Sequence, residues 1–402
     1  MLSYQQAREK VLTLVSAGLK PPAAETVELA AALGRVLGEE ITADRDYPPF
    51  ARSTRDGFAV RAVDIAKVPA TLRRLGEVKA GEAFSGSVGA GECVQIMTGA
   101  PVPAGADAVV MIEDTELKAD QVTIKKSLLV GTNIVPQGSE AARGAVLLKP
   151  GACIGYVETS LLGQVGKKRV QVYRRPRVAV LSTGDEVVPV DAVPGPNQIR
   201  NSNVHSMAAQ VTLWGGEAVV LGNARDELGD LERLVRRGLE EDLLVLTGGV
   251  SAGKYDLVEV ALRQLGAEFH FDAVAIRPGR PAVFASCQGK FVFGLPGNPV
   301  STMVTFELFV APALALLSGA PAPPLQFLKA RLAEAVPQKT KLTLFLPALL
   351  EGKGSHVTVR ALPWHGSGDV VALAHANCTL VVPDNVSELA AGAWVDVLPR
   401  RG

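Results

Sequence analysis

The chain has 402 residues, more than one hydrophobic core ordinarily serves, so two to four domains are expected. Lys plus Arg and Asp plus Glu are balanced at 41 each, which removes any global field toward nucleic acid or an anionic membrane surface; an anionic ligand must be held by local charge. Charged residues make up 20% and hydrophobic residues 48%, a globular composition that excludes a disordered chain.

Cys93, Cys153, Cys287 and Cys378 are far apart in sequence, with no close pair of the kind a zinc knuckle or redox dithiol requires, and suit a reducing compartment. Ser3 to Lys10 lacks the basic start and apolar stretch of a signal peptide. The apolar run Phe309 to Leu317 is short of the roughly 18 residues that a membrane span needs, and Pro312 interrupts it. A cytoplasmic protein is expected.

In chain order, Ser3 and Gln6 form a capping-box pair ahead of Ala7, Val11, Leu12 and Val15, whose spacing predicts an amphipathic helix. A second helix is expected over Leu29 to Leu37. From Tyr47-Pro48-Pro49 to about Glu140, short apolar runs alternate with glycine and proline, the texture of a small β-rich domain. Val178 to Leu181 reads as a buried parallel strand, and helices and strands then alternate. Val204, Met207 and Val211 mark one helix; Leu228, Leu231, Leu234 and Val235 mark another. Val219 to Leu221 and Leu243 to Leu246 are strands, Leu257 to Leu265 a helix, and further strands lie near Val274, Val283 and Phe291. This alternation predicts a doubly wound α/β sheet. Asn298 and Pro299 supply an N-cap and first-turn proline for a long helix toward Leu317. Ser318 to Pro324 is a linker, and period-two runs at 342–346 and 357–359 predict a small C-terminal β domain. The expected division is 1–45 with 141–175, 46–140, 176–320 and 325–402.

Ligands of an open α/β sheet bind beyond the carboxyl ends of its strands, where the strand order reverses. Those ends carry Ser182-Thr183-Gly184-Asp185-Glu186, then Arg225-Asp226, then Gly248-Gly249-Val250-Ser251-Ala252-Gly253 with Asp256 beyond. Gly248 and Gly249 let backbone amides turn toward an anion. Carboxylates beside a diphosphate repel it by roughly 1 to 4 kcal/mol per charge pair at about 4 Å. A bridging Mg2+, which binds few carboxylates and completes its shell with phosphate oxygens and water, removes the conflict. Asp226 and Asp256 also precede helices, so simple capping is the competing role. Arg277 and Arg280 flank a proline-glycine turn and suit a tetrahedral oxyanion. Pro296-Gly297-Asn298 is a tight turn at the mouth of the last helix, whose free amides add positive potential.

These segments, in this order and spacing, resemble the nucleotide-pterin domain shared by molybdopterin adenylyltransferases and molybdenumtransferases. Ser53-Thr54-Arg55-Asp56-Gly57-Phe58-Ala59, Ile96-Met97-Thr98-Gly99-Ala100-Pro101 and Gly366-Ser367-Gly368-Asp369 resemble signatures of the molybdenumtransferase branch, which includes bacterial MoeA and the gephyrin E domain. The likeness covers nearly the whole chain.

The resemblance implies a multi-domain α/β plus β fold: an elongated N-terminal helical/β domain, an inserted β-rich domain, the central molybdopterin-binding domain and a small C-terminal β-barrel. It implies a homodimer with an intersubunit active site, where Asp56 and Thr98 of one subunit complete the cleft lined by Asp185, Glu186, Asp226 and Asp256 of the other. The substrates would be molybdate and adenylylated molybdopterin, with AMP released. Glu186, Asp226 and Asp256 would hold Mg2+; Arg277 and Arg280 would hold molybdate; Gly248, Gly249, Ser251, Pro296, Gly297 and Ser367 would shape the substrate pocket. A molybdopterin adenylyltransferase and cofactor-accepting enzymes are the implied partners. The rival readings are an adenylyltransferase, which the flanking domains oppose, and a non-catalytic carrier, which the full set of acids opposes. Many relatives carry lysine at the positions of Arg277 and Arg280. The family's arginine-rich Gly-Glu-Asp segment is here Val135-Pro136-Gln137-Gly138-Ser139-Glu140, without its arginines.

Overall fold

The computed structural model describes residues 1–20, 22–249, 257–353 and 356–400. It divides into two compact units, one of Met1–Gly38, Gly151–Gly155 and Arg169–Gly402, the other of Glu39–Pro150 and Tyr156–Lys168. The second is therefore inserted twice into the first along the chain.

In the first unit, helix α1 (Tyr4–Gly18) carries the expected capping box: the Gln6 N–H donates to Ser3 Oγ and the Ser3 N–H to Gln6 Oε1. Ala7, Val11 and Val15 are buried on its inner face. The helix expected over Leu29 to Leu37 does not form. Only Leu29–Ala31 makes a 3-10 turn. Gly34 adopts φ +73°, the Leu37 N–H donates to Ala152 O, and the Gly38 N–H donates to Gln171 O, so backbone groups a helix would need are engaged elsewhere in the chain.

The central sheet uses β1 (Arg177–Thr183), β2 (Glu217–Ala224), β3 (Leu243–Thr247), β4 (Glu268–Phe271), β5 (Val283–Cys287) and β6 (Lys290–Leu295), in the spatial order β2-β1-β3-β6-β5-β4. The first four neighbours are parallel; β5 and β4 join antiparallel at one edge. The expected strand near Val274 lies instead at Glu268–Phe271, while Val274 makes an isolated bridge to Leu2. Both faces of the sheet are covered. Val178, Val180, Leu243 and Val245 face one core with Val204, Met207 and Val211 of helix α2 (Asn203–Leu213). Ala179, Leu181, Leu244 and Leu246 face the other with Leu231 and Val235 of helix α3 (Leu228–Gly238) and Ala261 and Leu262 of helix α4 (Leu257–Gln264). Burial on both faces is why these strands read as unbroken apolar runs, each buried Val, Leu or Met side chain contributing about 1.5 to 3 kcal/mol.

The last helical run has a five-residue π segment, Phe306–Val310, between Pro299–Thr305 and Ala311–Leu317. Contrary to the expectation from the shorter apolar run, Pro299–Leu317 is long and apolar enough to cross a membrane, but 72% of that window is buried and Phe306, Leu308 and Phe309 belong to the main core. It is the core helix of the α/β domain.

Beyond it, Leu328–Leu332, Thr343–Lys353, His356–Ala361, Cys378–Val382 and Trp394–Pro399 close into a ring. Thr343–Lys353 pairs with both His356–Ala361 and Cys378–Val382, and Leu328–Leu332 and Trp394–Pro399 complete the circuit. This is the expected C-terminal barrel. Ile276–Arg277 adds to its rim beside Thr343–Leu344, which ties the guanidinium-bearing turn to the barrel.

The second unit is built on a six-stranded sheet, ordered Ala108–Met111, Gly57–Val60, Glu92–Ile96, Ala70–Val78, Gln121–Ile124 and Thr115–Lys118. Gly57 lies so close to the neighbouring strand that a Cβ would sit 1.8 Å from Val110 O, so only glycine fits after Asp56.

Candidate functional site

The carboxyl ends of β1, β2, β3 and β6 open onto a cleft of about 760 Å3. Its floor is made by close backbone approaches. Gly248 adopts φ +89°, and a Cβ there would meet Thr183 O at 2.8 Å; a Cβ on Gly297 would meet Gly248 Cα at 3.4 Å. Gly249 adopts φ +61°, with Thr183 Oγ1 3.0 Å from where its Cβ would be. The glycines are required by this crossing of strand ends, as well as by the turn.

A polar network fixes the floor. Asn203 Nδ2 donates to Gly297 O at 2.7 Å and to Thr247 Oγ1 at 3.1 Å, and the Thr247 and Thr302 hydroxyls both donate to Pro296 O. Asn201 Nδ2 donates to Ser182 Oγ, which donates to Asn223 Oδ1, and Asn223 Nδ2 donates to Gly184 O. Two atoms of the lining residues are left over: Thr183 Oγ1 and Asn203 Oδ1 are buried without a hydrogen-bond partner among the described residues. Such orphans cost about 1 to 3 kcal/mol and are concentrated where a protein expects a ligand or ion.

The acids come next. Asp185 and Asp226 accept each other's backbone N–H. Glu186 lines the cleft with Asp226, its carboxylate lying over Gly184. Capping does not account for Asp226, because the N-cap of α3 is Glu227. Asp230 instead accepts the Arg225 N–H at 3.0 Å and pairs with Arg233. Ser251 and Asp256 lie outside the described residues. Among the described residues there is no group of three or more His, Cys, Asp or Glu side chains placed to hold a metal.

A second pocket, of about 350 Å3, shares Pro281, Pro296 and Asn298 with the first. It is lined by Arg277, Arg280 and Ser367. Asn298 is the N-cap of the last helical run, as expected, but its side chain makes no cap; Asn298 Nδ2 donates to Ser367 Oγ at 2.8 Å, and the Val300 N–H donates to Ser367 O. The Ser367 loop is anchored in turn by Asp369, which accepts the Ala372 and His365 N–H groups; those bonds hold its carboxyl below the usual range.

Asp56 and Thr98 lie in the other unit. Asp56 Oδ1 accepts the Thr98 N–H at 2.6 Å and the Thr98 hydroxyl at 2.8 Å. The backbone bond first, then the hydroxyl, hold the Asp56 carboxyl below its ordinary value. Ser53 Oγ accepts the Arg55 N–H, and the Gly99 N–H donates to Ser53 O, so the two motifs form one turn cluster.

The sequence reading missed Asn203 and Arg200, and gave no pocket role to Asn298 or Arg225; Arg200 and Arg225 also line the larger cleft. The run Arg200-Asn201-Ser202-Asn203 leading into α2 was an available signal.

A doubly wound sheet with two adjoining pockets beyond its strand ends, followed by a closed barrel and preceded by a β-rich insertion, defines a multi-domain α/β protein. The chain matches three consecutive family descriptions: MoeA N-terminal region (domain I and II) over residues 2–166, probable molybdopterin binding domain over 179–316, and MoeA C-terminal region (domain IV) over 329–399. It is 36% identical to a molybdopterin molybdenumtransferase of Staphylococcus aureus over 97% of this chain and 94% of that protein. It is 35% identical to one of Bacillus subtilis over 93% and 89%. A crystal structure of a molybdopterin biosynthesis protein from Pyrococcus horikoshii aligns over 100% of both chains with TM-score 0.82 and 27% identity. The chain belongs to the MoeA family of transferases.

Proposed function

We propose that the chain inserts molybdenum from molybdate into adenylylated molybdopterin, with Mg2+-dependent cleavage of the diphosphate and release of AMP. The observation that carries this reading is the pair of adjoining pockets. A 760 Å3 cleft with carboxylates and a glycine floor suits the large nucleotide-linked substrate, and a 350 Å3 pocket with two guanidiniums suits a small tetrahedral dianion.

The donor set fits Mg2+. That ion needs only one or two carboxylates when phosphate oxygens and water fill the rest of its shell, and Glu186 and Asp226 share the cleft. Asp256 is assigned as a third ligand. Bound there, the ion would offset charge on the departing phosphate. The remaining work belongs to side chains: Arg277 and Arg280 hold molybdate, Ser367 is oriented by Asn298, and the floor at Gly248, Gly249 and Gly297 lets the substrate approach the backbone. Ser251, outside the described residues, is assigned to substrate binding. Asp185 brackets Asp226.

The proposal includes a cytoplasmic homodimer, with domains at 1–45 with 141–175, 46–140, 176–320 and 325–402, in which Asp56 and Thr98 of the partner subunit complete the cleft. An adenylyltransferase would supply the substrate and an acceptor enzyme would take the product. The test is molybdate-dependent AMP release from adenylylated molybdopterin by the parent protein and by Asp256→Asn. Release by the parent with loss in the variant is expected. Consumption of ATP with plain molybdopterin would mark an adenylyltransferase, and binding without AMP release a carrier; either overturns the reading.

A further inference from the structure

The larger cleft is lined by four ionisable side chains among the described residues, Glu186, Asp226, Arg200 and Arg225, two of each sign. None of the four is ion-paired among the described residues. Elsewhere in this domain arginines pair where a carboxylate is in reach: Arg233 with Asp230 at 2.6 Å, Arg174 with Asp242 at 2.7 Å, Arg177 with Glu241 at 2.7 Å. Carboxylates and guanidiniums that share one cleft without an ion pair among the described residues suit a ligand that brings both signs. A phosphate carrying a hard divalent cation is such a ligand, with carboxylates for the cation and planar guanidinium forks for the phosphate oxygens.

Local anchoring supports this division. Arg200 Nε donates to Ala192 O at 3.0 Å, which orients the guanidinium and leaves its terminal nitrogens without a hydrogen-bond partner among the described residues. The Arg225 N–H is held by Asp230 at 3.0 Å, and its neighbour Asp226 donates its own N–H to Asp185, so the loop that presents Arg225 is tied at two successive residues. Among the described residues the smaller pocket has only Arg277 and Arg280 as charged lining. The two guanidinium pairs therefore face different cavities.

We propose that Arg200 and Arg225 hold the nucleotide phosphate of the substrate, separately from the Arg277 and Arg280 pair that takes the small oxyanion. This deepens the proposed function and rests on it. It also alters the electrostatics of the cleft, because the described lining sums to zero formal charge (+2 − 2), so the phosphate is met by protein cations as well as by a metal.

The test is calorimetric titration of AMP, with Mg2+, into the full-length protein, alongside steady-state molybdate dependence. R200Q/R225Q is expected to weaken AMP binding about 10- to 100-fold, the loss of charge-assisted hydrogen bonds, with the KM for molybdate unchanged. R277Q is expected to show the converse. R200K/R225K should recover part of the affinity through charge alone. Both side chains are exposed, and a melting curve on each variant, with the single R225Q as a milder change, separates loss of binding from loss of fold. A parent protein that binds AMP and a double variant that binds it equally well overturn the arginine assignment alone, as does an equal loss of molybdate affinity. A parent that binds no AMP overturns the proposed function together with this inference.

Discussion

Asp185 and Asp226, at the ends of neighbouring strands, each donate a backbone N–H to the other's carboxylate, at 3.2 Å into Asp185 Oδ1 and 3.4 Å into Asp226 Oδ2. The bracket positions two like charges close together in exposed loops, an arrangement that a cation between them or beside them would relieve. Asp226 and Glu186 also line the cleft, so the bracket fixes where one of its acids stands.

Asp226→Asn separates charge from scaffold. The amide oxygen can still accept the Asp185 N–H, and exposed positions of this kind change stability by only about 0.5 kcal/mol. AMP release should nevertheless fall by about 10²- to 10³-fold, the scale of losing one electrostatic stabiliser of a reacting group. The paired measurement is a melting curve and a molybdate-dependent rate. Near-parental rates in a folded variant would remove Asp226 from the metal assignment.

Gly248→Ala tests the floor. The new Cβ would stand 2.8 Å from both Thr183 O and Thr183 Oγ1, at a φ of +89° that alanine adopts at a cost. Strain of about 1 to 3 kcal/mol is expected, with substrate affinity falling because the strand ends must part. Thermal denaturation and substrate KM report the two effects; a variant as stable and as tight as the parent would show that the crossing is slack.

The sequence was most legible where structure is local or where burial is complete. Val178 to Leu181 and Leu243 to Leu246 are buried on both faces, and an unbroken apolar run has no other economical home than a covered parallel strand. The capping box of α1 needed only residues three apart. Leu29 to Leu37 misled because its apolar spacing was helical while the Gly34 and Leu37 N–H groups donate to Ile154 O and Ala152 O, over a hundred positions away. Asn298 shows the same limit: local rules placed the helix start, but the side chain turns to Ser367, 69 residues on. Arg200 was passed over and Arg225 given no role because a lone arginine in a two-residue strand or just past a strand end carries no periodic signal, and only folding shows that both line the acid-bearing cleft.

The four thiols should behave in two classes. Burial pushes Cys93 up to about 12 and Cys378 up to about 11, and raises Cys287 as well, so these three are protonated at pH 8 and screened from reagent. Cys153 is exposed. A disulfide reagent at about pH 8 should therefore titrate one thiol rapidly in the native protein, the rest only in denaturant, since the thiolate is the reactive form. Two or more fast equivalents would contradict the packing around Cys93 and Cys378.

Asp56 offers a prediction in pH. Its carboxyl is held low, first by the Thr98 N–H and then by the Thr98 hydroxyl, so whatever its anion contributes is complete above the ordinary carboxylate range and is lost only as pH falls through the depressed value. Thr98→Val deletes the hydroxyl and keeps the backbone bond, the larger of the two causes. The acid limb of the rate profile should therefore move to higher pH, yet stop short of where an unassisted aspartate would titrate, while Thr98→Ser should keep the parental limb. Asp56→Asn should abolish the limb along with most of the rate. The decisive comparison is the pH dependence of kcat/KM across the three variants, because a threonine that only packs the turn would lower the rate equally at every pH and leave the position of the limb where it was.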